Sequence, residues 1–278
     1  MPDKKFDVQA LFDVRGRTAV ITGGSGYLGR AMASALAQAG AQVAILGRHL
    51  ETVQTVAQSI QAQGGTALGI ACDVLSRASL EQSQEQITST LGPVDILINA
   101  AGGNSPSATT SAEQSFFDLD TQAVTHVFGL NFTGTFQSCQ VFGRGMADRK
   151  QGCIVNITSM SGVRPLTRVP AYSAAKAAIV NFTQWLAVHM AQEYNPAIRV
   201  NALAPGFFLT DQNHYLMLDA NEKLTPRGQT IVDHTPMGRL GTPEDLPGTL
   251  LWLVSPASAF VTGVVIPVDG GFSSFGGV

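Results

Sequence analysis

Thr18-Ala19-Val20-Ile21-Thr22-Gly23-Gly24-Ser25-Gly26-Tyr27-Leu28-Gly29 is the stretch on which the fold turns. It opens as a short apolar run, read as a buried strand over 18–21. It closes in a glycine cluster where Gly24, Gly26 and Gly29 stand in G-x-G-x-x-G spacing. Beyond it Leu28, Met32 and Leu36 recur at helical spacing among alanines over 27–39, until Gly40 stops them. Three glycines at that spacing are weak evidence alone. Between the first strand and first helix of a βαβ unit they predict a loop that cradles a pyrophosphate. Glycine lets backbone approach the ligand closely, and the helix N-terminus offers free N–H groups at its positive dipole end.

Working outward, the same alternation repeats. Apolar strands are expected over 42–46, 67–71, 94–98, 153–157, 198–203 and 264–268, and helices over 50–63, 76–91, 121–149, 172–194 and 243–254. Strands apolar throughout and separated by helices imply an α/β fold. The expectation is a single Rossmann-type doubly wound domain, a seven-stranded parallel sheet with helices on both faces. No linker, charge run or repeat divides residues 1–278, with 1–15 read as an N-terminal extension and 207–240 as a substrate lid. Ligands of such sheets sit beyond the carboxyl ends of the strands.

Composition narrows the partners. Charged residues make 13% of the chain, about half the ~25% of an average domain. A net charge of −3 argues against nucleic-acid or anionic-membrane surfaces, and no apolar run approaches a bilayer span. Three scattered cysteines (Cys72, Cys139, Cys153) read as reduced thiols, no leader is recognised, and the cytoplasm is the expected location. Five histidines form no ligand-spaced cluster, so no metal is expected.

An acid at the end of the second strand would mark NAD, because it accepts from the ribose 2′-hydroxyl. Here Gly47-Arg48-His49 stands instead. Gly47 leaves room and the Arg48 fork can pair with a 2′-phosphate, which favours NADP over NAD. Arg48 can also be read as a solvated loop residue stacking on adenine.

Tyr172 and Lys176 lie four apart and share a helix face. Ser159 follows the 153–157 strand, and Asn131 lies within the 121–149 helix. With the glycine loop, Asn99-Ala100-Ala101-Gly102 and Pro205-Gly206 in order, this set resembles the short-chain dehydrogenase/reductase family over nearly the whole chain. A free phenol ionises near ~10, so a base at neutral pH needs a neighbouring charge, which Lys176 supplies.

What the resemblance implies is specific. Asn131, Ser159, Tyr172 and Lys176 are the catalytic set: tyrosine as acid or base, serine on the substrate oxygen, lysine also on the nicotinamide ribose, asparagine positioning a relay water. Asn131 has the plainer reading of a polar residue that distorts its helix. Gly23, Gly24, Ser25, Gly26, Tyr27, Leu28, Gly29, Arg48, Asp73, Val74, Asn99, Ala100, Ala101, Gly102, Pro205, Gly206 and Thr210 join Tyr172 and Lys176 as cofactor contacts. Asp73 and Thr210 have plainer readings as turn and helix caps. Tyr27 departs from the family, whose usual loop Thr-Gly-x-x-x-Gly-x-Gly places glycine there. A homotetramer is implied as well, and the two long helices carry spare apolar residues such as Phe132, Phe136 and Trp185.

Further stretches resemble the D-mannonate oxidoreductase (fructuronate reductase) subgroup. They include Ala101-Gly102-Gly103-Asn104, Met160-Ser161-Gly162-Val163-Arg164-Pro165 and Pro205-Gly206-Phe207-Phe208-Leu209-Thr210-Asp211-Gln212-Asn213. That resemblance implies a sugar-acid substrate, D-fructuronate/D-mannonate, with a gluconate-type keto-sugar as the nearest rival. A nucleotide-sensing regulator is the alternative from another class. A carboxylate needs a cation and its hydroxyls need polar partners. The expected substrate residues are Asn104, Ser159, Ser161, Arg164 (with Arg168 second), Gln212 and Asn213.

Overall fold

The computed structural model describes residues 7–210 and 213–277. The apolar runs form one sheet: β1 Thr18–Thr22, β2 Gln42–Gly47, β3 Thr66–Ala71, β4 Val94–Asn99, β5 Gly152–Ile157, β6 Ile198–Pro205 and β7 Val265–Val268. All pairings are parallel, in the order β3-β2-β1-β4-β5-β6-β7. Residues alternate between faces, as the two-residue period of a strand requires. Ile21, Ile45, Ile98 and Val155 enter one core, and Val20, Leu46, Leu97 and Ile154 the other.

The helices are α1 Val8–Leu11, α2 Tyr27–Gln38, α3 Leu50–Ala62, α4 Arg77–Leu91, α5 Thr121–Phe128, α6 Gly134–Arg149, α7 Met160–Val163, α8 Pro170–His189, α9 His214–Met217, α10 Pro226–Asp233 and α11 Pro247–Val254. Helices α2, α3 and α11 cover the first core, and α4, α6 and α8 the second. The strand order reverses between β1 and β4, so chain leaves their carboxyl ends in opposite directions and a crevice opens there. Register brings the strand ends level, with Thr22 opposite Asn99 and Asn99 opposite Asn156.

The expected helix over 121–149 is not continuous. It passes through a π-turn at Gly129–Thr133 between α5 and α6. The Asn131 amide donates to the Val127 carbonyl four residues back, at 2.8 Å, and to Gly103 O at 2.7 Å. A side chain thus occupies a carbonyl that a regular helix would give to backbone. The expected helix over 172–194 begins two residues earlier, at Pro170, and ends in a second π-turn at Met190–Tyr194.

The segment after β6 leaves the sheet and returns beside its own start. Phe208 bridges Gly241, Leu209 N–H donates to Gly241 O, and Gly241 N–H to Phe207 O. Helices α9 and α10 stand on that closed base. Among the described residues no helix is long and apolar enough to cross a membrane, and no three His, Cys, Asp or Glu side chains are grouped to hold a metal ion. All three thiols are free and buried, and burial pushes Cys139 up to about 12.

Candidate active site

A cleft of about 640 Å³ lies over the carboxyl ends of the strands. One end is floored by the loop between β1 and α2. Gly23 takes a φ of 66°, a left-handed conformation open to glycine, and the side where a Cβ would stand faces the turn after β4. A Cβ on Gly23 would stand 2.7 Å from Ala101 Cα, and one on Gly29 would collide with Gly23 O and Gly24 Cα. At Gly23 and Gly29 the chain is therefore wound too tightly for side chains, and the loop ends where α2 starts behind Gly26 as N-cap. That cradle fits a pyrophosphate. Tyr27 is the first residue of α2, so the conformational need for glycine falls at Gly23 and Gly29 and not at position 27. Its partly exposed ring joins the cleft wall with Ser25, Leu28 and Gly29.

Gly24 does not line the cleft. Its α-carbon faces the sheet, where a Cβ would stand 2.9 Å from Ile45 Cγ2. Asn99 also lies beneath it, buried, with its amide donating to Asn156 Oδ1 (2.9 Å) and Asn156 donating to Thr183 (2.9 Å). This polar ladder ties β4, β5 and α8 together under the cleft floor. Ala100 and Ala101 are hung from Thr22 by its carbonyl and hydroxyl.

At the end of β2, Gly47, Arg48 and His49 reach the cleft, with Arg30 from α2 beside them. A Cβ at Gly47 would press on Val53 Cγ1 (2.9 Å) and Ser25 Oγ (3.0 Å), so the strand end has little space for an acid. Asp73 and Val74 follow β3. Asp73 accepts from Leu75 N–H at 3.0 Å and so caps its own turn, while it is the one carboxylate among the described residues that line the cleft.

The four residues expected to do chemistry meet at the centre. Ser159 ends the β5 connection, lies extended as the N-cap of α7, and its Oγ accepts from Ser161 N–H at 3.2 Å. Pro170 opens α8, which then presents Tyr172 and Lys176 one turn apart. Lys176 is 4% exposed. Its Nζ donates to Ile157 O at 2.9 Å and stands 5.5 Å from the centre of the Tyr172 ring. Thr158 Oγ1 locks the helix by donating to Lys176 O. Asn131, fully buried, also accepts from Gly103 N–H at 3.3 Å. Crowding is acute at Gly102, where a Cβ would stand 2.5 Å from Asn131 Oδ1 and 3.2 Å from Lys176 Nζ.

Electrostatics sharpens the reading of this centre. Burial pushes the Tyr172 phenol above 10, with a hydrogen bond to Ser159 acting in the opposite sense. Burial also lowers Lys176 from 10.5 to about 8. Among the described residues the ammonium faces Ile157 O and the ring, not a carboxylate, so desolvation governs both groups. In this state Tyr172 is a protonated acid at neutral pH.

Beyond Tyr172 the cleft is lined by Asn104, Pro205, Gly206, Phe207, Phe208, Thr210 and Asn213. Asn104 donates to Thr109 Oγ1. Asn213 accepts from Thr210 N–H at 2.8 Å and donates to Phe208 O at 2.7 Å, which closes the turn at the root of the lid. Two expected substrate residues are not brought here. Ser161 is a buried residue of α7 with its hydroxyl unpartnered, and Arg164 is exposed beyond the end of that short helix. Gln212 lies outside the described residues. Sequence reading missed Thr22, Thr158 and the Ile157 carbonyl, whose roles depend on partners distant in the chain.

Comparison with known proteins agrees with this architecture. A family model described as short chain dehydrogenase matches residues 17–221. An uncharacterized oxidoreductase of Bacillus subtilis (strain 168), UxuB, is 52% identical over 275 residues, covering 96% of this chain and 98% of that protein. A Haemophilus crystal structure with bound NAD, provisionally described as a D-mannonate oxidoreductase, superposes with a TM-score of 0.91. It is 43% identical and covers 98% of this chain and 100% of its own. A gluconate 5-dehydrogenase from Burkholderia cenocepacia J2315, in complex with NADP and tartrate, superposes at 0.85 with 30% identity, covering 96% and 99%. Fold, family model and relatives converge: the chain belongs to the short chain dehydrogenase family and is an oxidoreductase.

Proposed function

We propose that this enzyme interconverts a carbonyl and a secondary alcohol on a sugar acid with NAD(P), with D-fructuronate and D-mannonate as its pair and NADP as its favoured cofactor. The observation that carries the reading is the meeting of Tyr172, Ser159 and Lys176 in the same cleft as the glycine loop, with Asn131 buried directly behind Gly102 and Gly103. Likeness to the Haemophilus and Burkholderia structures supports the sugar-acid class. Arg48 and His49 at the end of β2 and Arg30 from α2, which outnumber Asp73, the one carboxylate among the described residues of the cleft, support a 2′-phosphate.

The glycine loop and the N-terminus of α2 would hold the pyrophosphate, Arg48 and Asp73 the adenosine end, and Lys176, Gly102, Pro205, Gly206 and Thr210 the nicotinamide end. When bound, that cofactor supplies or accepts the hydride. The chain's own residues manage the proton and the geometry. Ser159 and Tyr172 donate hydrogen bonds to the carbonyl oxygen, and Tyr172, kept protonated by burial, gives up its proton to the nascent alkoxide. Lys176 holds positive charge against the resulting phenolate. Asn131 is locked by three bonds to Gly103 and Val127, a fixed post for a relay water. The segment 207–240 acts as the substrate lid.

Assembly is part of the proposal. Phe128, Phe136, Trp185, Val188 and Tyr194 leave an exposed apolar stripe across α5, α6, α8 and the second π-turn. It borders a groove of about 460 Å³, and this run of exposed aromatic side chains supports a homotetramer built on these helices.

A panel of keto-hexuronates, ketogluconates and neutral ketoses, followed by nicotinamide absorbance with NADPH and NADH, tests the reading. Fructuronate is expected to give the highest kcat/KM, and Tyr172→Phe to abolish turnover while cofactor still binds. Turnover of neutral ketoses in preference to every acid overturns the substrate class, and an active Tyr172→Phe overturns the mechanism.

A further inference from the structure

Phe207 and Phe208 line two hollows at once: the active cleft, and a neighbouring pocket of about 220 Å³ bounded also by Thr235, Met237, Gly241 and Asp269. They form the wall that the two share. Their rings are not held alike. Phe208 is buried in the core under α2, α3 and α11, and a Cβ on Gly241 would stand 3.1 Å from three of its ring carbons. Phe207 is only half-buried and belongs to no core among the described residues. Its backbone is fixed, because its carbonyl accepts from Gly241 N–H at 2.8 Å. The side chain alone is free to turn. A ring bordered by open space on two sides has few packing neighbours to select its rotamer.

One contact makes that selection. The Phe272 ring meets Phe207 edge-on, with centroids 5.1 Å apart and planes at 65°, and among the described residues no other ring touches it. Phe272 itself stands on a tightly set turn after β7. Asp269 accepts from Gly271 N–H at 2.9 Å and from Ser273 N–H at 2.8 Å, which fixes the short 3-10 turn Phe272–Ser274. The turn is anchored at both ends of the segment that begins at Phe207. A Cβ on Gly206 would stand 2.6 Å from Asp269 Cβ, so β6 and the turn abut there. At the other end Met237 N–H donates to Gly270 O at 3.1 Å, and a Cβ on Gly271 would press on Pro236 at 3.1 Å. The post is rigid, and the ring that leans on it is otherwise unconfined.

We propose that Phe272, which lines no part of the cleft, is a positioning residue for substrate selection: its ring keeps Phe207 on the cleft side of the shared wall and out of the neighbouring pocket. Without it Phe207 turns into that pocket, and the cleft widens beside Pro205, Gly206 and Thr210. One edge-to-face contact favours the held position by about five-fold in population. The inference rests on the reading that the substrate lies between Tyr172 and the segment 207–240, and is independent of which keto acid it is.

A double-mutant cycle on the whole enzyme tests it, with kcat and KM for D-fructuronate at saturating NADPH, and the Kd of NADPH, measured for each variant. Phe272→Ala is expected to raise KM about five-fold and to leave the Kd of NADPH unchanged. Phe272→Tyr, which keeps the ring, should behave as the parent. Phe272→Leu, which fills the space without a ring edge, should lose in the same direction and serves if the alanine variant does not fold. In a Phe207→Ala background Phe272→Ala should add nothing, whereas a merely structural role would repeat its loss. A crystal structure of Phe272→Ala or Phe272→Leu is expected to place the Phe207 ring in the neighbouring pocket. A parental KM in both variants, equal losses in the two backgrounds, or a Phe207 ring that stays in place overturns the proposal. A parent that does not turn over fructuronate overturns the substrate assignment alone, because the crystal structure still decides where the ring lies.

Discussion

Replacing Lys176 by methionine should stabilise the cofactor-free protein while destroying its activity. The ammonium is 4% exposed and, among the described residues, faces no carboxylate and keeps one hydrogen bond, to Ile157 O. Its lowering from 10.5 to about 8 measures what burial costs the charged form. At about 1.4 kcal/mol for each pH unit, that amounts to about 3 kcal/mol at pH 7. Methionine removes the cost and forfeits one hydrogen bond worth about 1 kcal/mol, for a net gain of about 2 kcal/mol. The sign follows from proton counting. Between pH 8 and 10.5 the unfolded chain keeps a proton that the folded chain has shed, so wild-type stability rises with pH through that window. The methionine variant lacks this rise, and its advantage should vanish and then reverse by pH 10.5. Urea unfolding of both proteins at pH 7, 8, 9 and 10 reads the difference, in which other titrating groups cancel. A variant less stable than wild type at pH 7, or a gap that does not narrow with pH, would refute the argument.

Two further outcomes are expected. Arg48→Ala should raise KM for NADPH about ten-fold and leave KM for NADH nearly unchanged, measured by steady-state kinetics; equal effects on both cofactors would reduce Arg48 to an adenine-stacking residue. Trp185→Glu, at a 55% exposed position of the aromatic stripe, should drive the assembly to a smaller species in light scattering, whereas an unchanged mass would remove this face from the interface.

How much was legible beforehand depended on how local each cause is. The glycine loop declares itself because Gly23 and Gly29 meet each other within one turn. The strands declare themselves because they are apolar on both faces. The tyrosine–lysine pair needs only helical spacing. Resemblance, not pattern, singled out Asn131; that it distorts its helix was open to reading, but its bond to the Gly103 carbonyl on another loop was not. Arg164 misled for the opposite reason. Closeness in sequence to Ser159 suggested closeness in space, but α7 ends after one turn and carries it outward.

The closed root of the segment after β6 has a bearing on how substrate range diverges. Because Phe207–Leu209 and Gly241 zip together before the chain re-enters the domain, whatever lies between them is an excursion with its ends already joined. Lengthening, shortening or exchanging it adds little loop-closure entropy and leaves every strand register alone. Selection can therefore rewrite which molecule is admitted while the hydride-handling half is inherited unaltered. A chimaera carrying another relative's excursion, cut at that zip, is the natural unit of recombination.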